Sequence, residues 1–235
     1  GVSIYKNNLE SYKSALACDP TSAFGGIVSC NYKITKTVAI ELNKIFLEVV
    51  IGNGFDNDAL KILKSKNNLR LIDASNFLLN ENFKSSSFNS CSLVQSEDNL
   101  LLSKKNFKIV SKKKPTKSQF DNLIFAFNVC RYVKSNAIVL VSNKSTIGIG
   151  SGQPSRLDSC QIAIDKMKKF IKEKNEIVAA SDAFFPFVDG IEKLVQSGVS
   201  AVIQPAGSIR DKEIIKYANA TGTVLIFSKT RHFRH

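Results

Sequence analysis

Hydrophobic residues in the last third of the chain alternate between two spacings, one typical of strands and one typical of helices. Short apolar runs predict strands at Ile177–Ala180, Val199–Gln204 and Val224–Phe227. Apolar residues at every third or fourth position predict helices between them, at Asp189–Gln196 and Asp211–Ala220. A βαβαβ order with such short loops predicts parallel strands joined by right-handed crossovers, as in α/β proteins.

The first 72 residues repeat this alternation less regularly. Helices are predicted at Leu9–Leu16, Thr35–Ile45 and Asn57–Ser65, and strands at Ile27–Cys30, Val49–Ile51 and Leu69–Ile72. Residues 73–118 are rich in Ser, Asn and Lys, and they indicate a connector with short strands at Leu93–Gln95 and Lys108–Val110. A helix is predicted to follow at about Ser118–Val133. The two halves thus allow a duplicated α/β unit, although their internal similarity is weak.

The most distinctive stretch is residues 134–156, which read KSNAIVLVSNKSTIGIGSGQPSR. Two apolar runs, Ala137–Val141 and Thr146–Ile149, flank a polar turn and predict a β-hairpin. Glycines at alternate positions at its exit remove side chains, so the backbone can come close to another group and its N–H groups can turn outward. Ser155–Asp158 has the form of a capping box that opens a helix, with Arg156 in the first turn. Together these features indicate an anion site, most simply for phosphate, and the alternative is a plain turn from strand to helix.

Composition and charge narrow the class of protein. With 235 residues, 43% hydrophobic and 23% charged, the chain is typical of a globular protein with one large domain or two small ones. No run of about 18 apolar residues occurs, so no membrane span is predicted. The net charge of +13 indicates an anionic partner, either nucleic acid or a phosphorylated or polycarboxylate small molecule. Much of the excess lies in Lys104–Lys117 and Lys166–Lys174, which are more typical of an exposed linker and a solvated helix face.

The cysteines and histidines argue against metal and disulfide chemistry. The 5 cysteines are widely spaced without a Cys-x-x-Cys pair, and the only 2 histidines lie at the C-terminal end. This pattern predicts neither a zinc site nor a disulfide framework. It favours a reduced, cytoplasmic compartment in which the cysteines are small core residues.

Three later segments follow predicted strands, where α/β proteins collect ligands. The loop Ser181–Phe187 holds three phenylalanines and a proline, which predict either a hydrophobic plug or a flat slot for a planar ligand. The loop Pro205–Asp211 ends in another capping-box form, which predicts helix initiation. The tail Thr230–His235 is basic and aromatic, and is either solvated or placed against an anion with a ring beside it. These residues indicate an α/β protein that binds a phosphate and a flat heterocycle, with no visible nucleophile and no metal.

Four stretches in order carry a resemblance to a known family: DPTSAFGGIV, SNAIV with GIGSGQPSR, SDAFFPFVDG, and RHFRH. They resemble the formyltransferase part of the bifunctional purine biosynthesis protein family, which couples phosphoribosylaminoimidazolecarboxamide (AICAR) formyltransferase to IMP cyclohydrolase. The resemblance covers the chain except for the loose connector at 73–107. It implies a step of de novo purine biosynthesis, in which the formyl group of 10-formyltetrahydrofolate moves to the 5-amino group of AICAR to give FAICAR.

The same resemblance implies a fold and an assembly. The fold would be cytidine deaminase-like, with two related α/β/α subdomains, the second ending in the βαβαβ portion, and without a catalytic metal. Residues 1–107 would form the N-terminal subdomain, truncated at its start, and residues 108–235 the C-terminal one. The resemblance also implies small-molecule partners and a cytoplasmic homodimer whose sites are completed across the interface, with no nucleic-acid or membrane partner.

The family's motifs assign expected roles to single positions of this sequence. Asn136 is expected beside the transferring formyl group and is the candidate catalytic residue. AICAR is expected to contact Gly25, Glu48, Asn136, Arg156, Phe184 and Arg231. The folate is expected to contact Leu157, Pro186, Asp189, Gly190 and Phe233. Phe184 would stack on the imidazole ring, and Arg231 would meet the substrate anion.

The sequence also departs from the family pattern. The family's catalytic Lys-His run would precede Gly1, and so would the cyclohydrolase domain, so we expect a fragment that is at most a very weak catalyst. Gly52–Asn53–Gly54 replaces the usual Ala-Pro-Gly, and Cys91–Ser92 replaces a Gly-Gly pair. Two other interpretations stay open at this point: a non-catalytic nucleotide- or folate-binding remnant, and a basic nucleic-acid-binding module.

Overall fold

Contacts divide the chain into two compact units. The computed structural model describes residues 1–77, 83–100, 102–172 and 175–234. The larger unit contains Gly1–Ala23 and Leu102–His235, and the smaller unit contains Phe24–Leu101. This division differs from the predicted boundary at 107/108, because the first 23 residues group with the C-terminal half.

The N-terminal segment joins the larger unit through hydrogen bonds that local periodicity does not report. The N–H of Val2 donates to Thr146 Oγ1 at 2.8 Å. The N–H of Ile4 donates to the carbonyl of Lys144 at 3.0 Å. Helix α1, Asn8–Ala17, then packs against the strand that contains Thr146. The two hydrogen bonds join positions 144 and 140 residues apart in sequence, so no local pattern reports them.

The smaller unit contains a three-stranded parallel sheet and an antiparallel hairpin. The sheet has the order β1-β2-β3, and its elements are β1 Gly26–Cys30, α2 Lys36–Leu42, β2 Leu47–Gly52, α3 Asn57–Leu63 and β3 Arg70–Asp73. The hairpin consists of β4 Phe83–Phe88 and β5 Cys91–Ser96. The strand predicted near residues 93–95 is confirmed as part of β5. Strand β4 was not predicted, because three consecutive serines at its centre give no apolar alternation.

The larger unit contains a six-stranded mixed sheet. After a short 3₁₀ helix, Lys104–Asn106, its elements are β6 Phe107–Ile109, α4 Lys117–Cys130, β7 Ile138–Ser142, β8 Ser145–Gly150, α5 Arg156–Phe170, β9 Ile177–Ser181, α6 Asp189–Gln196, β10 Val199–Pro205, α7 Asp211–Thr221 and β11 Val224–Ser228. The strand order is β6-β11-β10-β9-β7-β8. Strands β9, β10 and β11 pair in parallel, and β7 and β8 form an antiparallel hairpin. Both of these arrangements were predicted from the sequence and are confirmed.

Helices cover both faces of the six-stranded sheet. On one face, Ile138 and Leu140 of β7 pack with residues of α5, α6 and α7. On the other face, Val139 and Val141 of the same strand pack with residues of α4. Successive strand residues point to opposite faces, so a strand covered on both sides is apolar at every position. The larger unit is therefore a three-layer α/β/α structure.

The two glycines at the end of the hairpin have a packing role. A Cβ on Gly148 would overlap the carbonyl oxygen of Ala163, and a Cβ on Gly150 would overlap that of Ser159. Both carbonyls belong to α5, so these glycines let the backbone of the helix lie directly on β8. The predicted close approach is therefore real, but at these two positions its partner is a helix of the same chain. At Gly148 and Gly150 the missing side chains therefore serve packing against α5.

Four cysteines are buried: Cys18, Cys30, Cys130 and Cys160. Burial raises the pKa of all four thiols, that of Cys160 to about 12, so they stay protonated at neutral pH. The predicted core role is confirmed for these four. Cys91, on β5, is exposed and does not follow the prediction.

The α/β class predicted from the sequence is confirmed by these sheets and helices. The finer expectation of a cytidine deaminase-like arrangement stays a prediction. Within the described ranges, no helix combines the length and the apolar character needed to cross a membrane.

Candidate functional site

The candidate site lies at the end of the six-stranded sheet where strand β9 finishes and strand β7 starts. Because β7 runs antiparallel to β9, β7 begins where β9 ends. A cavity of about 470 Å³ opens among the segments that flank these strand ends. Its lining residues are Asn136, Pro154, Ser155, Arg156, Leu157, Ala183, Phe184, Phe185, Pro186, Phe187, Asp189, Gly190, Arg231 and Phe233. This placement follows the rule that ligands of α/β proteins collect at the carboxyl ends of parallel strands.

The cavity collects most of the positions singled out from the sequence. Nine of them line it: Asn136, Arg156, Leu157, Phe184, Pro186, Asp189, Gly190, Arg231 and Phe233. The other two, Gly25 and Glu48, belong to the smaller unit. The roles assigned to all eleven positions stay predictions.

Arg156 opens α5 and is held by a buried network. Its Nη1 pairs with the carboxylate of Asp182 and donates to Ser181 Oγ at 2.9 Å. Its Nη2 donates to Asn136 Oδ1 at 2.6 Å. The side chains of Arg156 and Asp182 are 9% and 0% exposed, so water compensates neither charge. The predicted arginine at the anion site is therefore present, but an internal carboxylate already balances its charge.

Ser155 is the N-cap residue of α5, so the predicted helix start is confirmed there. Its Oγ accepts the N–H of Leu157 at 3.2 Å. The second capping-box form, Ser208–Asp211, also precedes a helix, because α7 begins at Asp211. Ser208 Oγ accepts the N–H of Arg210 at 3.2 Å, and the Asp211 carboxylate accepts the N–H of Gly207 at 2.9 Å. The predicted helix start is therefore confirmed there too.

Asn136 links the entry of β7 to the loop before α5. Its Nδ2 donates to the carbonyls of Gln153 at 3.0 Å and Pro154 at 2.9 Å. Its Oδ1 accepts from Arg156, and its own carbonyl accepts from Ser159 Oγ at 2.8 Å. Both amide hydrogens and the amide oxygen are thus engaged within the protein. A ligand acceptor reaches the Nδ2 hydrogens only if one of these bonds is exchanged, whereas Oδ1 keeps a second lone pair for a donor.

The three phenylalanines after β9 were predicted to form either a hydrophobic plug or a flat slot, and they differ in burial. Phe185 is 1% exposed and packs in the core, where a Cβ on Gly190 would lie 2.5 Å from its ring. Phe184 lies under the guanidinium of Arg231, with 5.0 Å between the ring centroid and Cζ. Phe187 is 51% exposed and has Arg210 over its ring at 4.9 Å. One ring is therefore a plug, and two are aromatic surfaces, each paired with a cation.

The C-terminal tail is anchored rather than solvated. The N–H of His232 donates to the carbonyl of Asp182 at 3.0 Å. The imidazole of His232 is buried against the ring of Phe127, with 4.4 Å between the ring centroids. Arg231 and Phe233, on either side of His232, are exposed at the cavity. The alternating pattern of this tail fixes one residue in the core and leaves its two neighbours on the cavity wall.

The two remaining predicted positions have local structural features of their own. Gly25 has φ of +71°, a left-handed conformation that favours glycine, and its N–H donates to the carbonyl of Phe46 at 2.9 Å. Glu48 is exposed on β2. Among the described residues, no cluster of three or more His, Cys, Asp or Glu is arranged to hold a metal ion.

A family model described as the AICARFT/IMPCHase bienzyme matches residues 1–166. The chain belongs to the AICARFT/IMPCHase bienzyme family. A relative from Clostridium acetobutylicum, named bifunctional purine biosynthesis protein PurH, is 46% identical over 235 residues, which cover 100% of this chain and 45% of the relative. Proteins of the same name from Caldicellulosiruptor bescii and Aquifex aeolicus are 45% and 43% identical over 98% and 100% of this chain. The chain spans less than half the length of these relatives.

Membership of the AICARFT/IMPCHase bienzyme family leaves one buried residue without an assigned role. Asp182 accepts hydrogen bonds from Arg156 and from Ser135 Oγ, and it is 0% exposed. It lies in the motif SDAFFPFVDG, where the resemblance gives roles to Phe184, Pro186, Asp189 and Gly190 but none to Asp182. A carboxylate placed directly after a buried strand was the available signal, since a buried charge is costly unless it is paired.

Proposed function

We propose that this chain forms the formyltransferase part of a bifunctional purine biosynthesis protein, and that its cavity binds AICAR and 10-formyltetrahydrofolate as co-substrate. One observation carries the proposal: nine positions selected from sequence motifs between residues 136 and 233 line a single cavity. Family membership and the name shared by the relatives support it. A cytoplasmic homodimer without a catalytic metal completes the proposal.

The cavity offers matching groups for the parts of AICAR. The imidazole ring would lie against Phe184, and the phosphate would meet Arg231, whose guanidinium is exposed above that ring. Arg156 would donate to a neutral acceptor such as the carboxamide oxygen, because Asp182 already compensates its charge. This arrangement assigns charge attraction to one arginine and orientation to the other.

The apolar residues of the same cavity suit the folate. Leu157, Pro186 and Phe233 offer non-polar surface for its flat rings, beside the carboxylate of Asp189. Gly190 would act indirectly, because its missing side chain leaves room for the ring of Phe185. The two ligands would then share one opening of about 470 Å³.

The reaction needs a proton acceptor in addition to these binding groups. The amine of AICAR attacks the formyl carbon, a new C–N bond forms, and the bond from the formyl carbon to N10 of the folate breaks. The amine loses a proton, and N10 of the departing tetrahydrofolate gains one. Asn136 carries an amide and cannot accept that proton, so it would orient the loops and the formyl group. A positioned base contributes about a hundred- to ten-thousandfold in rate, so we expect residues 1–235 alone to be a very weak catalyst.

The decisive assay is formyl transfer from 10-formyltetrahydrofolate to AICAR, followed by the absorbance of tetrahydrofolate. It would compare residues 1–235 with a chain extended upstream through a Lys-His run taken from a relative. We expect binding of AICAR by both chains and turnover by the extended chain alone. Binding by both without turnover in either would favour a non-catalytic nucleotide- and folate-binding protein. No AICAR binding together with salt-sensitive DNA retention would contradict the proposal and favour a nucleic-acid-binding module.

A further inference from the structure

Asp182 makes contacts with several segments that line the cavity. Its Oδ1 accepts from Arg156 Nη1, and its Oδ2 accepts from Ser135 Oγ. Its N–H donates to the carbonyl of Ala137 at 3.2 Å, and its carbonyl accepts the N–H of His232 at 3.0 Å. The residue therefore connects the end of β9 to the start of α5, the entry of β7 and the C-terminal tail.

Each of these contacts is next to a residue that faces the cavity. Ser135 and Ala137 flank Asn136, while His232 lies between Arg231 and Phe233. Asp182 itself does not line the cavity. It is thus placed to act on a ligand only through other residues.

The guanidinium of Arg156 has its orientation fixed by this network. Its two Nη1 contacts, with Ser181 and Asp182, and its Nη2 contact with Asn136 engage three of the five N–H donors of an arginine. Among the residues that the structure describes, these are its hydrogen-bond partners. The remaining donors, on Nε and Nη2, are available to a ligand.

We propose that Asp182 is a positioning residue: it holds Arg156 in one orientation and compensates its charge, so that Arg156 presents hydrogen-bond donors from an ion pair that carries no net charge. The statement about ligand binding rests on the proposed function, whereas the statement about Arg156 does not. A carboxylate with only a packing role would be costly here, because a buried ion pair is often no more stabilising than apolar side chains of similar volume.

The first test measures the accessibility of Arg156 without any ligand. Phenylglyoxal, which modifies guanidinium groups, would be applied to the 235-residue chain, and modification of Arg156 would be followed by peptide mass spectrometry. Asp182→Asn keeps the size of the side chain and removes its charge. We expect the rate at Arg156 to rise about tenfold or more, because a charge-assisted hydrogen bond is lost. Asp182→Glu, which restores the carboxylate, should bring part of the protection back.

Asp19→Asn is the matched control, because it removes the acidic partner of Lys166, which lies on α5 like Arg156. It should leave the modification rate of Arg156 unchanged. If Asp182→Asn does not fold, Ser135→Ala removes only the contact to the second carboxylate oxygen and should give a smaller rise. A rate at Arg156 equal to that of the unsubstituted chain in the folded variants would overturn the proposal.

The second test is a calorimetric titration with AICAR at two salt concentrations. In Asp182→Asn we expect affinity to fall about tenfold, because the donors of Arg156 lose their alignment. We also expect a steeper salt dependence, because the charge of Arg156 is no longer compensated. A loss of packing alone would lower affinity without changing the salt dependence. If the unsubstituted chain does not bind AICAR, the proposed function fails, and the phenylglyoxal result still decides the role of Asp182.

Discussion

Helix α5 carries two basic residues that each pair with an acidic side chain, and the pairs differ in how much water reaches them. Arg156, at the start of the helix, pairs with Asp182, and their side chains are 9% and 0% exposed. Lys166 pairs with Asp19 at 2.5 Å, and their side chains are 33% and 22% exposed. Both pairs lie in the larger unit, so a buried ion pair and a partly exposed one can be compared within the same unit.

The difference indicates two separate roles. The Lys166 pair tethers the segment after α1 to α5, and solvent screens it, so its contribution is small. The Arg156 pair is removed from water and embedded in hydrogen bonds to Ser135, Ser181 and Asn136. Desolvation cancels much of the attraction in such a pair, so its clearest consequence is orientation. The exposed pair of Lys166 thus adds a little stability, while the buried pair of Arg156 fixes the orientation of side chains that line the cavity.

The largest expected effect comes from breaking the buried pair on one side. Arg156→Met leaves the carboxylate of Asp182 buried without its cation. We expect the free energy of unfolding to fall by about 3–5 kcal/mol, measured by urea unfolding at neutral pH.

The control for this change removes both charges together. The double variant Arg156→Met with Asp182→Leu should recover most of the lost stability, because buried pairs are often replaced by apolar residues without cost. It should still fail to bind AICAR. A double variant as unstable as Arg156→Met would mean that the network stabilises the fold through more than its paired charge.

An intermediate effect is expected from moving the start of α5 relative to β8. Gly150→Ala places a Cβ against the carbonyl of Ser159, three residues after Arg156. Overpacking of this kind costs about 1–3 kcal/mol. Phenylglyoxal reactivity of Arg156 should rise, while that of Lys166 toward an amine-specific reagent should hardly change. Ser151→Ala, on an exposed neighbour, is the matched control, and equal effects of the two variants would contradict this account.

The smallest effect is expected from the exposed pair. Burial tends to raise the pKa of the Asp19 carboxyl, but hydrogen bonds from Lys166 and Ser22 outweigh it and lower that pKa. A carboxyl with a lowered folded pKa contributes stability above its unfolded pKa and loses it as pH falls through the folded value. Asp19→Asn should therefore cost less than about 1 kcal/mol at pH 7.

Thermal unfolding between pH 7 and pH 2 measures this contribution. The difference in stability between the unsubstituted chain and Asp19→Asn should shrink below about pH 4, where the unfolded carboxyl becomes protonated. A difference that does not depend on pH would mean that packing rather than charge holds Asp19.

Local patterns predicted the elements of this fold well. The strands Val199–Pro205 and Val224–Ser228 were predicted because they are buried on both faces. A strand buried in this way is an almost continuous apolar run in the sequence. The helix over Arg156–Phe170 was found from its spacing and its serine cap. Strand Phe83–Phe88 was missed because all its side chains are exposed, which removes the pattern that local inference uses.

Features that depend on distant partners were not accessible from sequence in the same way. The glycines at 148 and 150 look like a ligand-binding loop until the carbonyls of α5 are seen behind them. The contacts of Asp182 reach residues 26 and 47 positions away, so no local spacing reports them. The positions that line the cavity were selected by family resemblance, since residue types alone indicated only a phosphate and a flat ring.

The position of β11 in the sheet bears on how the protein is made. This strand lies between β6 and β10, although it is translated after both. While the ribosome is still adding residues 224–228, the neighbouring edges of β6 and β10 have no strand between them, and open strand edges invite pairing with other chains. Arg231 and Phe233 follow directly, so the cavity is completed only after this gap closes. A ligand of this cavity would therefore find no finished pocket until residues 231–233 have been added.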